Sequence, residues 1–305
     1  MASYCVGIEI GVNRASMGVV DGQGAILCRR VFGATSVNNA ERFTDTLCDH
    51  LEDLLLKRGL MPTDVRRIGI AVAGGSLMAR DGDICAPEVF GGQAVPLRAL
   101  VEGRVGVNPS VLGDARAAAI AELWHTRAQG DFLCVTLGRS VGVALVRGGT
   151  LQAAELAATC GAQAEGDLLP QAMTDALTKA IGSHAIAHRA RLRFPHKLPA
   201  ERLSARDVFT LAEQRDADAL ALLAESVEAF AAALLPVCAH MGVPAVVLAG
   251  ALCAYQPSLV EPLNLQLAAL ARAGGQAEAP VARQAVCGGD AVMVGAALGM
   301  EARQG

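Results

Sequence analysis

The sequence predicts an α/β protein made of two similar domains flanking a cleft. Three short apolar runs joined by glycine turns open the chain, and the same meander restarts near residue 132. Each meander is followed by alternating helical and strand-like segments, the pattern of a duplicated α/β unit. The 305 residues suffice for two such copies.

Val6–Ile10 is the first apolar run. Gly11-Val12-Asn13-Arg14 turns it into Ala15–Val20, and Asp21-Gly22-Gln23-Gly24 turns again into Ala25–Phe32. Ala40–Arg58 predicts an amphipathic helix with Phe43, Leu47, Leu51, Leu54 and Leu55 on one face and Gly59 as a stop. Arg67–Ala73 is the next strand and ends in Gly74-Gly75. Met78–Cys85 suggests a hairpin about Asp81-Gly82, and Pro96–Glu102 a short helix. Ser110–Leu112 reads as a buried strand, Gly113 as its turn, and Ala115–Glu122 as an alanine-rich helix.

The second copy begins with strands Phe132–Leu137, Val141–Val146 and Thr150–Ala154, turning at Gly138-Arg139-Ser140 and Gly148-Gly149. Pro195, Pro199 and the basic residues of Ala187–Lys197 mark a surface loop, with His184, His188 and His196 as solvated side chains. Asp216–His240 predicts a helix whose core stripe is Leu220, Leu223, Val227, Phe230, Leu234 and Val237. Pro244–Leu248 is a buried strand ending in Ala249-Gly250-Ala251. Val281–Val286 is the last strand, Gly288-Gly289 a turn, and Asp290–Glu301 the closing helix. The domain boundaries follow as 1–113 with a C-terminal helix at 290–305 for the smaller N-terminal domain, and 114–289 for the larger one.

Composition removes several classes of function. Aromatics are only 3% and the formal net charge is −4, with no long basic run, so nucleic acid is not an expected partner. Nine scattered cysteines suit reduced thiols in a cytoplasmic protein better than a disulfide scaffold. The N-terminus MASYCVGIEI lacks the basic region of a signal peptide. The uncharged run Ala229–Val260 contains Pro236, His240, Gly242 and Pro244, and reads as helix end, turn and strand rather than a membrane span.

Asp114 stands where a strand ends and a helix begins, the usual place for a ligand in an open α/β sheet. Its alternative role is that of an N-cap, accepting from a free helical N–H.

With these turns placed, the chain resembles the ROK family of sugar kinases and related repressors, within the actin-like and hexokinase-like ATPases. The resemblance runs along essentially the whole chain, through VGIEIGVNRASMGVVDGQGAIL, IGIAVAG, VLGDARAAAIAE, LCVTLGRSVGVALVRGGTL, VVLAGAL and GGDAVMVGAALG. It implies two ribonuclease-H-like (actin/hexokinase-type) domains, with ATP and Mg²⁺ as cofactors and a small sugar-like acceptor. By resemblance Asp114 is the general base that takes the acceptor's proton. Gly11, Asn13 and Arg14 fall in the first phosphate turn, Gly138, Arg139 and Ser140 in the second, with Gly142 following. Gly250 and Ala251 fall on the nucleoside side. Gly74, Gly113 and Glu88 fall on the sugar side. The resemblance also implies a homodimer.

The departures from the family pattern are specific. Glu9-Ile10-Gly11-Val12-Asn13-Arg14 stands where the family has aspartate-x-glycine-glycine-threonine-lysine. Glu9 keeps a carboxylate able to hold a Mg²⁺-bound water; the other reading pairs it with a buried arginine. Gly138-Arg139-Ser140 replaces glycine-threonine-glycine. Arg139 either supplies charge to phosphate or fills the nucleotide groove. Arg116 either pairs with Asp114, lowering its pKa, or faces solvent. The family's sugar-contacting glutamate and histidine positions fall on Gly161 and Ala164, and its last glutamate near Leu169. Glu155, Glu165 and Asp167 stand nearby as replacements, and Pro87-Glu88 replaces proline–asparagine. The family's zinc-binding cysteine cluster is reduced to Cys160, so zinc is not expected.

Three readings follow. The first is an ATP-dependent phosphotransferase acting on a hydroxyl of a sugar or sugar-like acceptor, such as an aminosugar or a cyclitol. The second is an inactive pseudokinase with a binding or regulatory role. The third is an inert partner of an active homologue.

Overall fold

The computed structural model describes residues 4–12, 14–33, 40–73, 77–78, 84–85, 90, 94–152, 169, 171–197, 203–255 and 259–299. The elements, in chain order, are β1 (Tyr4–Ile10), β2 (Arg14–Val20), β3 (Ile26–Gly33), α1 (Ala40–Leu56) and β4 (Val65–Val72). The short strands β5 (Leu77–Met78), β6 (Ile84–Cys85) and β7 (Ala94–Val95) follow, then α2 (Leu97–Val105), β8 (Ser110–Gly113) and α3 (Asp114–Thr126). The second half has β9 (Phe132–Leu137), β10 (Val141–Arg147), β11 (Thr150–Leu151), α4 (Gln171–Ile181), α5 (Ser183–Arg193), α6 (Ala205–Glu213) and α7 (Ala217–Met241). It closes with β12 (Ala245–Ala249), α8 (Ala251–Tyr255), α9 (Val260–Ala273), β13 (Val281–Gln284) and α10 (Ala291–Leu298).

The duplication expected from the two meanders is present in the sheets. One five-stranded sheet has the order β3-β2-β1-β4-β8 and the other β11-β10-β9-β12-β13. In each, three antiparallel strands lead and two parallel strands follow. A small sheet, β5-β6-β7, holds the expected hairpin; its turn at Asp81-Gly82 lies outside the described residues.

Each large sheet has a core of its own, and a third core lies between them around α3 and α10. Packing there is set by the absence of side chains. Gly7 and Gly69 are cross-strand partners on β1 and β4. A Cβ on Gly7 would stand 1.9 Å from the Met293 carbonyl oxygen, and one on Gly69 1.8 Å from that of Ala296. A Cβ on Gly295 would stand 1.6 Å from the Ala117 carbonyl oxygen. Thus α10 lies directly on the backbone of the first sheet and crosses the alanine face of α3 at backbone contact. At the far end of α3, buried Glu122 pairs with Arg283 at 2.5 Å and accepts from Val286 N at 2.9 Å. That fastens the helix to the end of β13.

Two expectations are corrected. Most of Ala187–Lys197 is not a loop: α5 extends to Arg193 and buries Ile186, Ala187 and Ala190, and only Phe194–Lys197 turns away from it. Its arginines do not make it a solvated segment, because Arg189 donates to the Ala180 carbonyl at 2.6 Å and Arg191 to that of Leu203 at 2.9 Å. His184, His188 and His196 are exposed, but the first two stand on this helix. On α7, Leu220 faces out at 42% exposure while Leu222 is buried, so the core stripe begins two residues later. Pro236 lies inside α7, as the expected helix Asp216–His240 has it, and the helix stops at Gly242, in the left-handed region at φ +59°. This helix is long and apolar enough to cross a membrane by composition, and its buried face is part of the second sheet's core.

Candidate active site

The cleft between the two sheets is formed where their strands end. It has a volume of about 440 Å³ and collects residues from the turns after β1, β9 and β12 and from the starts of α3, α5 and α6. Of the residues singled out from sequence, Glu9, Gly11, Arg14, Asp114, Gly138, Arg139, Ser140, Gly250 and Ala251 all line it. Gly113 is the N-cap of α3, directly before Asp114. Asn13, Gly74, Glu88, Glu155 and Glu165 lie outside the described residues, as do Cys160, Gly161, Ala164 and Asp167.

Asp114 is not the N-cap of α3 but its first helical residue. Its Oδ1 accepts from Ala115 N at 2.8 Å, and the positive end of the helix favours its charge. The carboxylate has room only because residue 142 is glycine. A Cβ there would stand 2.7 Å from Asp114 Oδ1 and 2.5 Å from Thr136 Oγ1. Gly142 lies on β10 opposite Thr136, so its place is beneath the carboxylate, whereas the resemblance put it with the phosphate turn. Arg116 is half-buried and donates to the Gln152 carbonyl at 2.9 Å, so of its two expected places the solvent-facing one is corrected.

The two turns expected to meet phosphate are hairpin turns held by their own backbone. Gly11 N donates to the Arg14 carbonyl at 2.9 Å, and Gly138 N to that of Ser140 at 3.1 Å. These two N–H groups are therefore occupied within the turns, which leaves the groups beyond them to face a ligand. Gly250 has φ +90°, and a Cβ on it would meet the Leu137 backbone at 2.9 Å. That close approach brings the turn after β12 against the turn after β9.

Glu9 is half-buried near the end of β1 and accepts from the Ser16 hydroxyl at 3.1 Å. Burial pushes its carboxyl above the ordinary range. The positive charge of Arg14 and the Ser16 hydrogen bond pull it down, and Asp290 pushes it up. A carboxyl held this way is stabilised in its charged form by any cation brought into the cleft. It also gives a stability prediction with a definite sign. The folded state binds the Glu9 proton more tightly than the unfolded chain, so stability is lost as pH rises from the unfolded carboxylate pKa through the raised one. Glu9→Gln is therefore expected to raise Tm at neutral pH, and the gain should vanish below the ordinary carboxylate range. A lowered Tm at neutral pH would mean that pairing outweighs burial.

Sequence reasoning missed several lining residues. Thr136 and Ser16 come from strands, and Ala73 from the turn directly after β4. Ser183 opens α5 and donates its N–H to the Gly138 carbonyl at 2.8 Å. Ser204, Ala205 and Arg206 open α6, where Ser204 and Asp207 form a capping box. The Ser-x-x-Asp spacing of that box and the lone hydroxyl in the apolar run LCVTL were visible signals. The cleft thus faces two carboxylates and the three arginines Arg14, Arg139 and Arg206, with the N-termini of α3, α5 and α6 opening on it. Such a surface suits a polyanion beside one reactive carboxylate.

Comparison with known proteins agrees with this architecture. A family model described as "ROK family" matches residues 5–302. A glucokinase from Streptomyces coelicolor is 29% identical over 149 residues, 48% of this chain and 44% of that protein. The matched stretch spans less than half the length of these curated relatives. Among solved structures, a ROK family glucokinase from Streptomyces griseus in complex with glucose and AMPPNP superposes with a TM-score of 0.80 at 23% identity, covering 97% of this chain and 98% of that one. A ROK hexokinase from Thermus thermophilus gives 0.65 at 25% identity, covering 97% of both chains.

Proposed function

The chain belongs to the ROK family, and from that premise we propose that it is a sugar kinase, moving the γ-phosphoryl group of ATP to a hydroxyl of a sugar or a sugar-like polyol. The observation that carries this reading is the convergence of Asp114 with Glu9, Arg14, Arg139 and Gly250 on one cleft between the two sheets. The glucokinases and the AMPPNP complex among its relatives support ATP as donor and a hexose as acceptor.

The chemistry follows from the placement of the groups. Asp114 takes the proton of the acceptor hydroxyl as that oxygen bonds to the γ-phosphorus; the bond from phosphorus to the bridging oxygen breaks, and ADP leaves with the electron pair. General-base assistance of this kind contributes roughly 10²–10⁴-fold. Arg14 and Arg139 meet phosphate oxygens, and the α3, α5 and α6 N-termini add to the positive field. Glu9 would hold a water on Mg²⁺, which, when bound with the nucleotide, neutralises charge on the phosphates. With the family's sugar-side pattern altered at Glu88, Gly161 and Ala164, an aminosugar or a cyclitol belongs in the acceptor panel beside glucose.

Arg139 is exposed and makes no hydrogen bond or ion pair among the described residues, so it lies at the cleft wall as an available cation rather than a buried plug. Arg139→Thr is expected to weaken binding of Mg²⁺–ADP about fivefold, the worth of one solvent-exposed charge-assisted contact of about 1 kcal/mol. Tighter binding by the variant would mean that Arg139 fills the groove instead.

The experiment that tests the function is ADP release from Mg²⁺–ATP with a panel of glucose, aminosugars and cyclitols. Acceptor-dependent release supports the kinase. Nucleotide binding without release from any acceptor favours the pseudokinase.

A further inference from the structure

We propose that the Thr136 hydroxyl is a further catalytic group, donating a hydrogen bond to the phosphoryl group in transfer; this rests on the kinase reading above. Thr136 is 2% exposed, and among the described residues its Oγ1 has no hydrogen-bond partner. A buried hydroxyl without a partner is costly, and a Val would fill the same space without that cost. Yet the residue lines the cleft. Alternation along β9 sends Leu133, Val135 and Leu137 into the core of the second sheet and turns Phe132, Cys134 and Thr136 the other way, towards α3. Its hydroxyl therefore comes out beside Asp114: the position of a Gly142 Cβ lies 2.5 Å from Thr136 Oγ1 and 2.7 Å from Asp114 Oδ1.

That location separates Thr136 from the other polar groups of the cleft. In the kinase reading Asp114 faces the attacking oxygen, and Arg139 and Ser140, in the turn that follows Thr136 on the same chain, face the phosphates of the donor. Thr136 lies between the two, at the base of the turn and next to the proton acceptor. The group that passes between them is the phosphoryl, with its negative equatorial oxygens, and a neutral hydroxyl donor suits one of these. The donor keeps its proton throughout, so the balance of the transfer is unchanged.

The test compares Thr136→Val and Thr136→Ser with wild type in kcat, KM for both substrates, AMPPNP binding and Tm. For Thr136→Val the expected result is kcat down tenfold to a hundredfold, KM and AMPPNP affinity within about threefold, and Tm equal or higher. Thr136→Ser should retain most of the activity. A Val variant with wild-type kcat overturns the proposal, and so does a loss that Ser fails to rescue or one that tracks a fall in Tm. Wild-type protein that transfers no phosphoryl group to any acceptor overturns the kinase reading and this proposal together, whereas a wild-type-like Val variant of an active enzyme overturns this proposal alone.

Discussion

Replacing Asp114 by Asn is expected to lower phosphoryl transfer by roughly 10²–10⁴-fold, the contribution of a positioned general base, while leaving nucleotide affinity close to wild type. The substitution keeps the size of the side chain and an oxygen for the 2.8 Å contact with Ala115 N, so α3 need not move. What disappears is the capacity to take a proton. The change should fall on kcat and kcat/KM alike, with KM little altered, since the interaction is made only as the acceptor oxygen attacks. Steady-state ADP release with the best acceptor, together with nucleotide titration, checks both halves. Unchanged turnover would remove Asp114 from the mechanism.

The largest effect on stability is expected far from any substrate. Gly295→Ala places a Cβ 1.6 Å from the Ala117 carbonyl oxygen, a backbone atom with no rotamer to retreat into. Either α10 lifts from α3 or the variant fails to fold, at a cost of about 4 kcal/mol or more. Gly103→Ala, in α2, serves as control: nothing lies within 4 Å of its Cβ position, and Ala should stabilise the helix by about 0.5–1 kcal/mol. Denaturant midpoints of the two variants should move in opposite directions. Similar stabilities would mean that the α3–α10 crossing is looser than its backbone contacts indicate. Since α3 begins at Asp114, a partly folded Gly295→Ala protein should also lose activity.

The fold was legible because local signals agreed with one another. Glycine turns delimited β1, β2, β3, β9 and β10 to within two residues, while β11 ends at Leu151, short of the expected Ala154, and the repetition of that meander carried the duplication. Helix α5 was hidden because its buried face is only Ile186, Ala187 and Ala190, under a run of arginines that reads as solvated. Those arginines reach backbone carbonyls outside their own turn, and no local pattern encodes that. Helix α9 showed no signal strong enough to place it.

The site divides along the same line. Residues on or beside turns after strands, such as Gly11, Arg139 and Gly250, could be placed because the turn chemistry is local. Ser183, Ser204 and Arg206 reach the cleft only because α5 and α6 fold back towards the second turn, a long-range outcome. Gly142 was legible as a required glycine, but not for its reason, which is the space taken by Asp114 and Thr136 from two other elements. The sugar side, including Gly74, Glu88, Glu155 and Glu165, falls outside the described residues and stands as a reading of the sequence alone.

A kinase of this kind must bind Mg²⁺-nucleotide in this cleft, beside Asp114. Calorimetric titration of wild type and Asp114→Asn with Mg²⁺–ATP and Mg²⁺–ADP tests it without knowledge of the acceptor. One saturable site is expected in both proteins, with submillimolar dissociation constants that agree within a few-fold. No heat from either protein at millimolar nucleotide would mean that the cleft does not take a nucleotide, and would contradict the kinase at its foundation.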